Sequence, residues 1–134
     1  MAVDPISATK PADVVRRYLD EVLAGGESSA LEELVSSDDL KRRVASFRRA
    51  FPDFAGAVRL LIAEGDLVAV HLTGRGTHRG LFQGVPPTGR EWTAGCSALY
   101  RVEDGRIVDA WVNWDLLAIL EQIGGVTRAS TASA

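Results

Sequence analysis

Apolar positions recur at helical spacing over the N-terminal part of the chain and at strand spacing over the rest. Val14, Val15, Tyr18, Leu19, Val22 and Leu23 follow a 3.6-residue period. Pro11 suits the first turn of that helix, Asp13 favours its N-terminal end, and Gly25-Gly26 stops the pattern. Ser29-Ala30-Leu31-Glu32 has the spacing of a capping box for a short second helix, with Leu31, Leu34 and Val35 inward. Ser37, Asp38 and Asp39 can cap a third, in which Leu40, Val44, Phe47 and Phe51 share a face until Pro52 ends it.

Beyond Phe54 the period becomes two. Val58, Leu60 and Ile62 alternate with other residues, Gly65-Asp66 makes a turn, and Val68, Val70 and Leu72 alternate again. The glycine- and proline-rich stretch from Gly74 to Gly89 is expected to be a long loop or bent ribbon. Arg90 to Val102 is strand-like, Asp104-Gly105 is a hairpin turn, Arg106 to Trp114 is the last strand, and a short apolar helix follows to Ile123. Met1 to Thr9 is expected as a loose arm and Gly124 to Ala134 as a disordered tail. Helices followed by a meander of strands predict an α+β fold with a mostly antiparallel sheet. Such a sheet curls round the helices to bury one face and encloses a pocket.

A chain of 134 residues fits one domain. A net charge of -3 provides no basic field for nucleic acid. No apolar run reaches the ~18 residues of a membrane span, and the N-terminus lacks a signal-peptide pattern. The single cysteine, Cys96, forms no internal disulfide and suits a reducing compartment. A cytoplasmic protein acting on a small molecule is the expectation. His71 and His78 have no compatible carboxylate cluster, so no metal site is expected.

The candidate chemistry centres on Asp115, flanked by Trp111, Asn113 and Trp114 where a strand passes into a helix. A carboxylate beside indole rings is poorly solvated and suited to moving protons. A two-residue turn at Asp104-Gly105 would pair Ala98 with Trp111, Cys96 with Asn113 and Ala94 with Asp115. Trp111, Asn113 and Asp115 would then share a face with Trp92, Ala94, Cys96 and Ala98. The small residues there leave room either for a ligand or for Trp111 to pack. His78 reads either as a donor at the pocket mouth or as the organiser of its loop. His71 is expected at the solvent or an oligomer interface, and Cys96 as a small buried residue rather than a nucleophile.

Several segments in this order resemble the SnoaL-like polyketide cyclase family, within the fold group of nuclear transport factor 2. They are Phe51-Pro52-Asp53, Gly65-Asp66, Gly76-Thr77-His78-Arg79-Gly80 and Gly84-Val85-Pro86-Pro87-Thr88-Gly89-Arg90. Asp104-Gly105-Arg106-Ile107-Val108 and Trp114-Asp115 leading to Leu120-Glu121-Gln122-Ile123-Gly124 complete the set. The resemblance implies a cone-shaped barrel enclosing an apolar cavity, a homodimer, and an intramolecular aldol closure needing no cofactor or metal. It implies Asp115 as acid/base; on the reading of the residues, Asn113 would orient it or the substrate, and Trp111 and Trp92 either stack on a planar substrate or are plain core. Those cyclases carry a histidine where this chain has Ala98. Ketosteroid isomerases share the broad fold and use a first-helix tyrosine as oxyanion donor, a role open to Tyr18. Epoxide opening and a non-catalytic binding module remain alternatives.

Overall fold

The computed structural model describes residues 10–25, 28–127 and 129. The expected N-terminal arm and most of the expected tail lie outside them. Helix α1 (Pro11–Arg17) starts with proline in its first turn and continues as a π-helical segment, Tyr18–Leu23. Helix α2 (Ser28–Leu34) is short. Ser29 lies within it rather than at its cap. Helix α3 (Asp38–Ala50) is capped by Ser37, whose hydroxyl accepts from the Leu40 amide at 3.1 Å. The Arg48 guanidinium donates to the Leu23 carbonyl at 2.6 Å and so closes the C-terminal end of the π segment.

Strands β1 (Ala55–Glu64), β2 (Leu67–Thr77), β3 (Glu91–Glu103) and β4 (Arg106–Trp114) form one antiparallel sheet in sequence order. The fold is α+β, as expected: a curved sheet with helices packed on its inner face. Both hairpin turns fall where predicted. Gly65 has φ of 59°, and Asp104 and Gly105 have 52° and 75°, the left-handed conformations that a tight two-residue turn requires. Strand β2 runs on to Thr77, so only His78 to Arg90 forms the long connection.

The two edge strands depart from simple alternation, each at a one-residue bulge. In β1, Val58 pairs with Leu72 but Leu60 pairs with His71, leaving Arg59 unpaired. Leu60 and Ile62 therefore turn to the outer face, 63% and 66% exposed, while Leu61 takes the inner one. In β4, Ile107 pairs with Val102 but Asp109 pairs with Arg101, so Val108 is the extra residue. Beyond it Ala110, Val112 and Trp114 face inward opposite Tyr100, Ala98 and Cys96. This overturns the expected register: Trp111 and Asn113 pair with Leu99 and Ser97 on the outer face.

The core lies between the inner sheet face and helices α1, α3 and α4 (Leu116–Ile123). Val68, Val70 and Leu72 of β2 and Trp92, Tyr100 and Val102 of β3 are buried against Val14, Val15, Leu40 and Ile119. An aromatic group ties the layers together. The Phe47 ring stacks on Trp114 at 5.5 Å, and Trp92 meets Trp114 edge-on at 5.5 Å.

Gly74 gives these rings their space, since a Cβ there would stand 2.6 Å from both Phe54 and Trp114. Gly74→Val is therefore expected to destabilise the chain by about 1–3 kcal/mol through overpacking. Urea unfolding checks this, and an unchanged midpoint would contradict the packing described.

Candidate functional site

A cavity of about 450 Å3 opens between α3, the inner sheet face and the long connection. Its size lies in the range of roughly 300–1,000 Å3 typical of small-molecule sites. Its apolar wall includes Leu72, Val44, Phe47, Phe82, Val112 and Trp114. Polar atoms come from Tyr18, Tyr100, Arg43, Ser46, Asn113, Gln83 and Cys96. Leu81, 65% exposed, and Leu116, 38% exposed, stand at the opening.

The long connection is held by bonds that give meaning to the glycine-rich segment. The Asp53 carboxylate accepts from the Thr77 amide at 2.8 Å and from its hydroxyl at 2.6 Å. The Thr77 hydroxyl bond is the main reason the Asp53 carboxyl is lowered from its ordinary pKa. The amides of Arg79 and Gly80 donate to the Ala50 carbonyl at the end of α3. A Cβ on Gly80 would collide with the Arg49 carbonyl oxygen. This seat carries Phe82 and Gln83 into the cavity lining.

Two sequence-predicted residues, Tyr18 and Cys96, line the cavity with their side chains, whereas Asn113 borders it although it stands exposed on the outer face. Tyr18 and Tyr100, both 2% exposed, place their rings 5.6 Å apart. Neither hydroxyl is bonded by a described residue, and neither is shut off from the cavity space. Burial raises both phenols, while the nearby Arg43 charge acts in the opposite direction. Both therefore stay protonated and able to donate. Burial pushes the Cys96 thiol up to about 11, which fits the expected inert cysteine.

The other expected site residues lie elsewhere. Asp115 is exposed and outside the cavity lining; its carboxylate accepts from the Ala118 amide at 3.2 Å and caps α4. The Val108 bulge turns it away from the inner face, so the expected apposition to Ala94 is not formed; the Asp115 amide instead donates to the Gly95 carbonyl. Trp111, 44% exposed, stands on the outer face instead of walling a pocket. Trp92 and Ala98 are on the inner face as expected but form core beside the cavity, 1% and 6% exposed. His78 is wholly buried and is no mouth donor. Its Nδ1 accepts from the Thr88 amide at 3.2 Å and lies 3.0 Å from the Thr88 hydroxyl, the loop-organising alternative. His71 is on the outer face, with its Nδ1 3.1 Å from the Ser97 hydroxyl. Among the described residues no cluster of His, Cys, Asp and Glu could hold a metal ion.

Sequence reading missed Arg43, Tyr100 and Trp114 as cavity residues. Arg43 and Phe47 are four apart on α3, a spacing that puts them on one side of the helix. Trp114 was hidden by its strand parity, which only the bulge corrects.

The SnoaL-like polyketide cyclase model matches residues 2–123. The chain belongs to this family. Among solved structures, it is similar to IdmH of Streptomyces antibioticus, a candidate polyketide cyclase. That match has 30% identity over 86% of this chain and 99% of that one, with a TM-score of 0.71. AclR of Streptomyces galilaeus, a candidate hydroxylase, is 25% identical over 88% of this chain and 98% of that one, with a TM-score of 0.74. A SnoaL-like protein of Jannaschia sp. CCS1 shares the fold, with 22% identity over 95% of this chain and 99% of that one and a TM-score of 0.79. Comparison with curated proteins gives no match.

At pH 8 a thiol raised to about 11 holds roughly 100-fold less thiolate than an ordinary exposed one. Iodoacetamide is therefore expected to label Cys96 in the folded chain far more slowly than in urea. Equal rates would contradict its burial.

Proposed function

We propose that this chain binds a largely apolar, carbonyl-bearing, polyketide-like metabolite and closes a ring in it by an aldol-type step. The observation that carries this reading is the cavity of about 450 Å3, with its aromatic wall and two buried phenols that have no described partner. The faces of Phe47 and Trp114 suit a planar conjugated substrate. The phenols would donate to a substrate carbonyl oxygen and to the enolate oxygen that it becomes.

Asp115 is the proposed base; it lies between the lining residues Trp114 and Leu116 in sequence, with its carboxylate exposed outside the lining. It takes a proton from a carbon flanked by carbonyls, and the C–H electron pair passes onto a carbonyl oxygen. The enolate carbon then attacks a second carbonyl of the same molecule, and the new alkoxide takes the proton back from Asp115. Holding both reacting carbons in one cavity supplies the orientation.

One observation favours a second reading, a binding module without turnover: the described cavity lining holds no carboxylate and no imidazole. Asp115→Asn separates the two, because asparagine caps a helix about as well as aspartate. With an aryl β-diketone that carries a further carbonyl placed for six-membered ring closure as substrate, turnover is expected to fall by about 10²–10⁴-fold while folding and ligand affinity hold. Unchanged turnover would remove Asp115 from the reaction. Tight binding by the wild type without any product would favour the binding module.

We also infer that a second copy of the chain covers the outer sheet face. Ile62, Ala69, Leu99 and Trp111 pair in one continuous row across all four strands, beside Leu60. Exposed apolar rows of this kind mark association surfaces. Trp111→Glu is expected to shift a dimer to a monomer in sedimentation equilibrium; a wild-type chain that is monomeric at high concentration would contradict the inference.

A further inference from the structure

We infer that the ligand of this cavity carries an anionic oxygen, and that Arg43, with the hydroxyls of Tyr18 and Tyr100, forms the end that receives it. The inference rests on the cavity reading above and narrows its substrate class. Arg43 is the only charged side chain among the described cavity-lining residues. Its side chain is 43% exposed and its charge is only partly offset. The Arg43 Nε bonds the Asp39 carboxylate at 3.0 Å, but that carboxylate is 68% exposed and also meets Arg42 at 3.7 Å. One acidic group thus faces two guanidinium groups. The Arg43 Nη2 donates to the Ala110 carbonyl at 3.4 Å, which turns the group toward the sheet, and Nη1 has no partner among the described residues.

The two phenols supply the second, independent observation. Both are nine-tenths or more buried, both line the cavity, and neither hydroxyl is satisfied by a described residue. Neither oxygen is shut off from the cavity space, so an acceptor bound there can take a hydrogen bond from each. Two donors and a guanidinium on one apolar cavity, with no carboxylate in the lining, match a negatively charged acceptor. A neutral hydrocarbon would give no acceptor to the two hydroxyls or to the Arg43 Nη1. A carboxylate, or the enolate of an acidic β-dicarbonyl, would satisfy them while its carbon framework lies on Phe47 and Trp114.

A matched pair of probes tests this. Anthraquinone-2-carboxylate and 2-methylanthraquinone have the same rings and differ in charge. The wild-type chain is expected to bind the carboxylate at least tenfold more tightly. In Arg43→Gln that preference should vanish, while affinity for the methyl compound stays within twofold, a pattern that a merely structural role of Arg43 would not produce. Should Arg43→Gln fail to fold, Arg43→Met keeps the aliphatic stem and takes its place with the same expected outcome. Equal binding of the two probes by the wild type, or a preference that survives loss of Arg43, would overturn the anion assignment and leave the cavity reading standing. Binding of neither probe would overturn both.

Discussion

The site depends on one extra residue in the last strand. With Val108 bulged out between the pairs Ile107–Val102 and Asp109–Arg101, every later residue of β4 changes face. Trp114 and Val112 then complete the cavity wall, and Trp111 goes to the opposite surface. Without the bulge, the rings of Trp111 and Trp92 would compete for the space above Ala98, and Asp115 would enter the inner face. The Arg59 bulge does the same to β1, sending Leu60 and Ile62 outward. Both edge strands thus place apolar side chains on both faces of the sheet, one set for the core and one for the outer surface.

Helix and strand identities, both hairpin turns and the Ser37 cap were legible in the sequence, because each rests on local chemistry: apolar period, positive φ at Gly65, Asp104 and Gly105, and a hydroxyl three residues before an orphan amide. Face assignment beyond a bulge was not legible. Alternation carries no mark of an inserted residue, and Trp111-Val112-Asn113-Trp114 reads equally well in either parity. The site was legible in part for the same reason. Tyr18 and Cys96 lie on elements whose register is unbroken, and both line the cavity; Trp111 and Asp115 lie beyond the bulge, and neither does. His78 is a different case. Its burial follows from Thr88 closing over it, a contact between the two ends of the long connection that spacing does not announce.

The family segments acquire distinct jobs. Phe51-Pro52-Asp53 ends α3 and pins Thr77, Gly80 lets the chain pass over the end of α3, and the Phe82–Val85 turn presents ring and amide to the cavity. These are positioning roles, built mainly from backbone bonds. The chemistry-bearing groups described in the lining are few: two phenols, a thiol and a guanidinium.

The central claim is the face assignment of the last strand, because cavity wall, exposed carboxylate and outer surface all follow from it. Fluorescence quenching by bound 2-methylanthraquinone tests it most directly in Trp111→Phe and Trp114→Phe variants. The account predicts that Trp111→Phe keeps the full quenching of the wild type and Trp114→Phe loses a large share of it. Quenching that disappears with Trp111 and survives loss of Trp114 would contradict the register and, with it, the site.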